Sequence, residues 1–450
     1  MSQLSTPAVT QAASAPADSA AVSETATMKK VMRRLIPFIL LCYVVSYLDR
    51  INVGFAALTM NRDLGLTPSQ FGLGAGLFFI GYFFFEIPSN LALHRFGARM
   101  WISRIMISWG VISMATAFVV GPKSFALARF LLGMAEAGFT PGIYLYFTQW
   151  FPGAWRGKAT AFFLVGIPVA NIIGSPLSGA LMELHGMWGF QGWQVLLLLE
   201  ALPAVALGVL CLFLLPDRPA KAGWLTAAEK QWLEGELANE QNVLAARHGN
   251  KLKDAFTNWR VFALAGANFC GILGSLSIGL WLPQIIREFG LPPHQVGLVA
   301  ALPYVVGAIA MTLWARLANR SQHRLLFVAG AIVLAGVALA ISAFLHTPLL
   351  KMLAITVAVA SILSFQATFW AIPSGFLTGR AAAGGLALIV SIGNLGGFVG
   401  PSVIGFIRES TQGFTYPLIF VAGALLLGAV ITLALGDPAR AGNPTSKETA

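Results

Sequence analysis

Leu35-Ile-Pro-Phe-Ile-Leu-Leu-Cys-Tyr43-Val-Val-Ser-Tyr47-Leu-Asp49-Arg50-Ile-Asn52-Val-Gly54-Phe-Ala-Ala-Leu58 is a run of 24 residues with two charges. It is long enough to cross a bilayer as a helix, which takes about 20 mostly apolar residues. It also places an acid and a base where hydrocarbon should be, and ionisable groups at such depth mark functional sites by default. A membrane protein that handles ions or charged solutes follows from this one stretch.

The rest of the chain agrees. Of 450 residues, 57% are hydrophobic and 10% charged, with 47 Gly and 32 Phe, and the mean hydropathy is +0.74. A soluble domain carries about 25% charge. The composition excludes a soluble enzyme, a disordered protein and a nucleic-acid binder. Cys42, Cys211 and Cys270 all sit in apolar runs and read as buried thiols with no disulfide framework.

Twelve apolar segments are expected to span: 33–58, 69–92, 100–120, 124–150, 159–184, 192–215, 260–286, 294–317, 325–344, 349–373, 382–407 and 414–436. Cytoplasmic loops collect Lys and Arg. With the N-terminus inside, 22 of the 29 Lys and Arg fall on inner tails and loops, five on outer loops, and Arg50 and Arg129 inside spans. This is why the net charge of +11 reads as topology, with both termini cytoplasmic. Residues 1–28 read as a disordered tail and not a signal peptide, because the first apolar run is too long for one. The expected units are a six-helix bundle over 29–216, a cytoplasmic linker over 217–258, a second six-helix bundle over 259–437 and a tail over 438–450. The linker contains Thr226-Ala-Ala-Glu229, a capping box that should open a short amphipathic helix in a charged tether.

The halves repeat. Arg95-x3-Arg99 recurs as Arg320-x3-Arg324, Gly157-Lys158 as Gly379-Arg380, and Asn171-x-x-Gly174 as Asn394-x-x-Gly397, at offsets of about 223 residues. Such a duplication is a transporter signature, with substrate bound between the repeats near mid-membrane. Glycines crowd the second, fifth and eleventh segments, where small residues let helices approach closely.

The ionisable residues inside spans are Asp49, Arg50, Glu86, Arg129, Glu136 and Glu200. None of the six histidines lies deep, which disfavours a metal cluster or a histidine relay. At 1.5 Å per residue, Asp49 lies roughly 22 Å beyond Arg34, and Arg129 roughly 9 Å below Lys123. The two depths match, so an Asp49–Arg129 ion pair between the first and fourth spans is expected, as a proton route or as a structural clamp. Glu136 lies two turns from Arg129 on the same helix face, with no basic residue in any span at its own depth. It is expected to be a lone carboxylate that carries protons. Glu86 reads as a helix-end or gate residue, and Glu200 has no clear place.

Tyr43, Tyr47 and Arg50 share one face of the first span, and Tyr82 of the second span adds a hydroxyl. An arginine beside tyrosines is a suitable carboxylate receptor, because guanidinium binds carboxylate through two parallel hydrogen bonds. In the second half, Gln366, Trp370 and Ser374 form a stripe at spacing four, and the eleventh segment adds Asn394. That half has no buried charge, so it would complete the pocket with neutral hydrogen bonds. A tryptophan stripe is also a common packing feature.

Tyr47-Leu-Asp49-Arg50-Ile-Asn52-Val-Gly54-Phe-Ala56 resembles the first-helix signature of the anion:cation symporter branch of the major facilitator superfamily. Arg129-x3-Gly133-x-x-Glu136-Ala137 resembles its fourth helix. Phe369-Trp370-Ala-Ile-Pro373 and Ser391-Ile-Gly393-Asn394-Leu-Gly396-Gly397-Phe-Val-Gly400-Pro401 are similar to its tenth and eleventh, and the likeness covers about 30–438. His94 stands where the wider superfamily has Asp, a residue this branch often lacks, so the inner-gate ion pairing of other branches is not carried over. The resemblance implies an all-α membrane protein of twelve helices in two six-helix bundles. It implies proton-driven uptake of an organic anion such as tartrate, galactonate, phthalate or hydroxyphenylacetate. It implies Asp49 and Glu136 as proton-coupling acids and Arg50 and Arg129 as substrate arginines. Tyr47, Tyr82, Asn171, Trp370, Ser374 and Asn394 match pocket positions.

The expected protein is therefore no enzyme. It is a monomeric symporter of the bacterial inner membrane that needs no cofactor beyond the proton gradient and has small anions, protons and lipid as partners. Tartrate-like hydroxy-acids are favoured by Asn171, Gln366 and Ser374. An aromatic-acid symporter, or an exchanger or uniporter without proton coupling, is the alternative.

Overall fold

The computed structural model describes residues 23–246, 257–372 and 379–436, and every regular element among them is helical. The first half holds α1 (Glu24–Asp63), α2 (Pro68–Phe96), α3 (Ala98–Thr116), α4 (Pro122–Glu136), α5 (Phe139–Trp150), α6 (Gly153–Leu164), α7 (Gly166–Leu181) and α8 (Gly192–Leu214). The linker forms α9 (Ala227–Ala246). The second half holds α10 (Trp259–Arg287), α11 (Pro293–Arg320), α12 (Arg324–Phe344), α13 (Pro348–Phe369), α14 (Gly379–Thr411) and α15 (Thr415–Ala434).

Ten segments among the described residues are long and apolar enough to cross a membrane, with α6 and α7 acting as one. The third and fourth apolar segments of the sequence fall outside that set. α3 is diluted by Arg99, Arg104 and three serines, and the fourth segment is cut into α4 and α5. The cut comes directly after Glu136, where Ala137 turns extended and Gly138 adopts φ +87°. A side chain on Gly138 would also strike the Ser89 hydroxyl of α2. Left-handed backbone costs an L-residue about 1–2 kcal/mol before any clash. Gly138→Ala should therefore lower the unfolding temperature of the detergent-purified protein. Gly157→Ala, where nothing lies within 4 Å, should leave that temperature unchanged.

One boundary and one expectation about the linker need correction. Residues 24–28, expected in the disordered tail, are helical. Ser23 caps α1 through Ala26 N–H, Thr27 and Met28 are buried, and Trp155 Nε1 donates to Glu24 Oε1 at 2.9 Å. The linker is also more than a tether. The Thr226–Glu229 capping box forms as read, but α9 docks on the first half. Lys30 Nζ meets Glu229 at 2.8 Å, Arg156 meets Glu240 at 3.1 Å, and Trp224 stacks on Trp150.

The halves meet along three seams: α2 with α14, α7 with α11, and α1 with α10. The first two exchange under the internal duplication, so they are one contact made twice. Backbones nearly touch at Gly72 against Pro401, at Gly179 against Gly297 and at Gly54 against Leu280. Ser69 N–H donates to Glu409 across the first seam at 2.9 Å, and His294 bonds to Glu183 across the second. All of these lie at one end of the molecule, near the start of α2 and the ends of α1 and α7. Toward the other end α2 presents Phe84, Ile87 and Leu91, each more than 60% exposed. Among the described residues, these close backbone approaches join the halves at that first end, and Asn394 against Glu86 is a further contact along α2.

Candidate functional site

A small cleft lies between the halves. The first half supplies Tyr47, Arg50, Phe78, Arg129 and Asn171, and the second supplies Ser275, Tyr304, Leu363 and Pro401. α2 and α4 cross without side chains between them, because Gly133 lies directly on the Phe78 carbonyl and Gly81 on the Phe130 carbonyl. That crossing sets the Phe78 ring between two guanidiniums, with Cζ of Arg129 at 5.1 Å and Cζ of Arg50 at 5.6 Å from its centroid. Aromatic faces attract cations, more so where water is excluded. Tyr47 and Tyr82 flank Arg50 in the same way, at 5.7 and 5.4 Å.

The ion pair between the first and fourth spans exists, but with other partners than expected. Arg50 Nε and Nη2 both donate to Glu136 Oε1, at 2.8 and 2.6 Å, and Ser46 Oγ adds a third bond at 3.2 Å. Glu136 is thus no lone carboxylate. It is the last residue of α4, where the helix dipole is negative and an added anion is disfavoured. The Arg50 fork offsets both charges. Asp49 makes no ion pair with Arg129. Its Oδ1 accepts instead from Asn52 Nδ2, one turn on, at 3.2 Å, and from Ser113 of α3. Arg129 is 4% exposed and its guanidinium faces the cleft over Phe78, with Nε unbonded. The two roles are exchanged because Asp49 points toward α3, while Arg50, the next residue, is turned about 100° around the helix toward α4.

Of the expected pocket residues, Tyr47, Arg50, Arg129 and Asn171 line the cleft. Asn171 Nδ2 is held by the Ile167 carbonyl at 2.9 Å. Tyr82 is buried beside Arg50 behind the wall. Gln366 and Trp370 are not at the cleft. α13 contributes Leu363, and Trp370 lies about 10 Å further along that helix, edge-on against Phe369 and 38% exposed. It caps the C-terminal end of α13. Asn394 is half-buried and faces Glu86 of α2, and α14 lines the cleft with Pro401 instead. Ser374 lies outside the described residues. Sequence reasoning missed Phe78, Ser275 and Tyr304, which carry no charge to single them out. It also passed over Ser46, Asn52 and Ser113. Asn52 had a signal, since it follows Asp49 by three residues and so shares its helix face.

The model of the Major Facilitator Superfamily matches residues 39–283 and again 264–450. The chain belongs to this superfamily. Among its relatives, a protein of Agrobacterium vitis named "Putative tartrate transporter" is 48% identical over 412 residues, 92% of each chain. A protein of Acinetobacter baumannii named "Quinolone resistance transporter" is 42% identical over 407 residues, 90% of this chain and 94% of that one. The crystal structure of a bacterial homologue of the human lysosomal transporter Spinster, inward-facing and occupied, superposes with a TM-score of 0.72 at 16% identity, covering 89% of this chain and 96% of that one. That likeness carries the fold. The protein is a multi-pass membrane transporter of the superfamily, a secondary transporter for a small molecule and not an enzyme.

Proposed function

We propose that the protein is a proton-coupled symporter that takes up a small organic carboxylate, of the tartrate-like hydroxy-dicarboxylate class, across the bacterial inner membrane. It works by alternating access as a monomer of twelve spans with both termini in the cytoplasm. α3 and the α4–α5 pair complete the twelve, and the joined end of the bundle is then the periplasmic one.

The observation that carries this reading is Arg129, a buried guanidinium facing the cleft with no carboxylate in ion-pair reach among the described residues. Its charge is not surplus. Arg50, Arg129, Asp49 and Glu136 sum to zero when all are ionised, so the empty site has no net attraction for an anion. A proton on Asp49 or Glu136 leaves one positive charge over, and a carboxylate cancels it. Each ligand then favours the other by linkage. Asn171, Ser275, Tyr47 and Tyr304 supply neutral partners for substrate hydroxyls. The A. vitis relatives support the tartrate class.

The test is uptake into proteoliposomes of labelled tartrate, galactonate, phthalate and a quinolone, with and without an inward proton gradient. Gradient-driven accumulation of a hydroxy-acid is expected, and acceleration of none of them by the gradient would overturn the reading. A second reading, an aromatic carboxylate as substrate, is favoured by the apolar wall of Phe78, Phe79, Leu276 and Leu280. The same panel decides between them.

Asp49→Asn should keep the Ser113 and Asn52 hydrogen bonds while removing the charge. Substrate binding is expected to persist, and accumulation against a gradient to fail. Uphill uptake at the wild-type level would exclude Asp49 from coupling.

A further inference from the structure

Glu200 is a buried acid that the site described above does not use. It lies on α8, 3% exposed, and Ser178 Oγ of α7 donates to its Oε1 at 2.7 Å. Its Oε2 has no partner, and neither do Asn52 Oδ1 and Asp49 Oδ2, all of them fully buried. Asn52 is a neighbour of both acids: its Nδ2 donates to Asp49, and it adjoins Glu200 as well. Asp49 also acts on Glu200 electrostatically. The other elements against this stretch of α8 offer no compensation. α7 carries no ionisable residue, residues 110–116 of α3 carry none, and α1 presents only Asp49 and the amide of Asn52 there. Neither Glu200 nor Asp49 lines the cleft.

Two buried carboxylates around one amide, with no cation bonded to either, hold two charges only at high cost; the Arg129 and Arg50 guanidiniums act on Asp49, which leaves Glu200 as the acid without compensation. The three buried acceptor atoms without a partner, Glu200 Oε2, Asn52 Oδ1 and Asp49 Oδ2, lack just what a carboxylic acid supplies. We propose that Glu200 is a second proton-binding site, coupled to Asp49 through Asn52 and walled off from the substrate cleft. Its place explains its use. Ser178 lies one turn from the end of α7 and Glu200 about 12 Å into α8, both on the joined side. From there Glu200 feeds Asp49 while the cleft is shut at that end. The proton moves between carboxyl oxygens, and no other bond changes. This rests on the proton-coupled reading.

The experiment is infrared difference spectroscopy of the protonated-carboxyl stretch during a pH titration of the reconstituted protein, which needs no substrate. Wild type should show a buried carboxylic-acid band near neutral pH that is missing in Glu200→Gln, returns in Glu200→Asp, and shifts its midpoint in Asp49→Asn. Glu200→Gln retains the Ser178 bond, so its fold should hold. In parallel, gradient-driven uptake of labelled tartrate, or of whichever acid of the panel proves to be transported, should show a shifted pH profile in Glu200→Gln, restored in Glu200→Asp. A band unchanged in Glu200→Gln overturns the proposal and leaves the symport reading standing. A band whose midpoint ignores Asp49→Asn overturns the coupling. A band displaced by sodium at constant pH would make the cluster a cation site instead. Absence of proton-driven uptake in wild type would overturn the symport reading alone.

Discussion

Arg129→Lys lowers the affinity for the transported carboxylate by about ten- to a hundredfold. The guanidinium faces the cleft with its fork unspent, whereas that of Arg50 is committed to Glu136. Lysine keeps the charge but loses the pair of parallel donors. A hydrogen bond to a charged group is worth about 1.5–3 kcal/mol, and each 1.4 kcal/mol is about tenfold in binding. Lysine also loses the contact of the guanidinium with the Phe78 ring. The measurement is a thermal-shift titration with tartrate, or with the acid the uptake panel selects. A ligand at 100 times its dissociation constant stabilises by about 2.7 kcal/mol, so the loss is readable. Wild-type affinity in Arg129→Lys would remove Arg129 from the binding site.

Glu136→Gln has the second large effect, and its direction depends on the ion pair. Glutamine leaves Arg50 without its counter-charge. Breaking a buried pair costs about 3–5 kcal/mol, so the empty variant should unfold at a markedly lower temperature. Substrate should restore much of that loss, because Nε and Nη2 of Arg50 become free to hold its carboxylate. Exchange of labelled for unlabelled substrate should continue, while accumulation driven by a pH gradient should vanish. Paired counterflow and uptake assays in proteoliposomes separate the two. Intact gradient-driven uptake in Glu136→Gln would mean that the coupling proton rides on Asp49 and not on Glu136.

Under the proposed proton coupling, the four charges balance in the empty cleft and a proton on either acid would favour an anion. The seams at the joined end are built from glycine contacts and a few polar bonds, Ser69 to Glu409 and His294 to Glu183.

What was legible in the sequence was what depends on chain-local physics. Apolar length marked the helices, since burying an unpaired backbone in lipid is prohibitive. The rarity of charge in those helices singled out Asp49, Arg50, Arg129, Glu136, Glu86 and Glu200, all of which the structure keeps from solvent except for a small part of Arg50. Helical spacing put Tyr47 and Arg50 on one wall. The Thr226–Glu229 box opened its helix because both halves of that bond are local.

What the sequence left open was every choice of partner. Depth along each helix placed Asp49 opposite Arg129, yet rotation about the helix axis gives Glu136 to Arg50 and Asp49 to Ser113. α1 packs chiefly on α7 and α8, and α4 on α2 at Gly81 and Gly133, so that rotation is set by packing between helices. The same holds for Trp370 and Asn394, whose residue types suit a pocket but whose positions depend on where the halves meet. Composition and periodicity by themselves determined a helical membrane protein with buried ions on its first half. Which ion faces which, and which arginine is left for a ligand, was decided by tertiary packing, because an ion pair is selected by a few ångströms between helices that no single helix specifies.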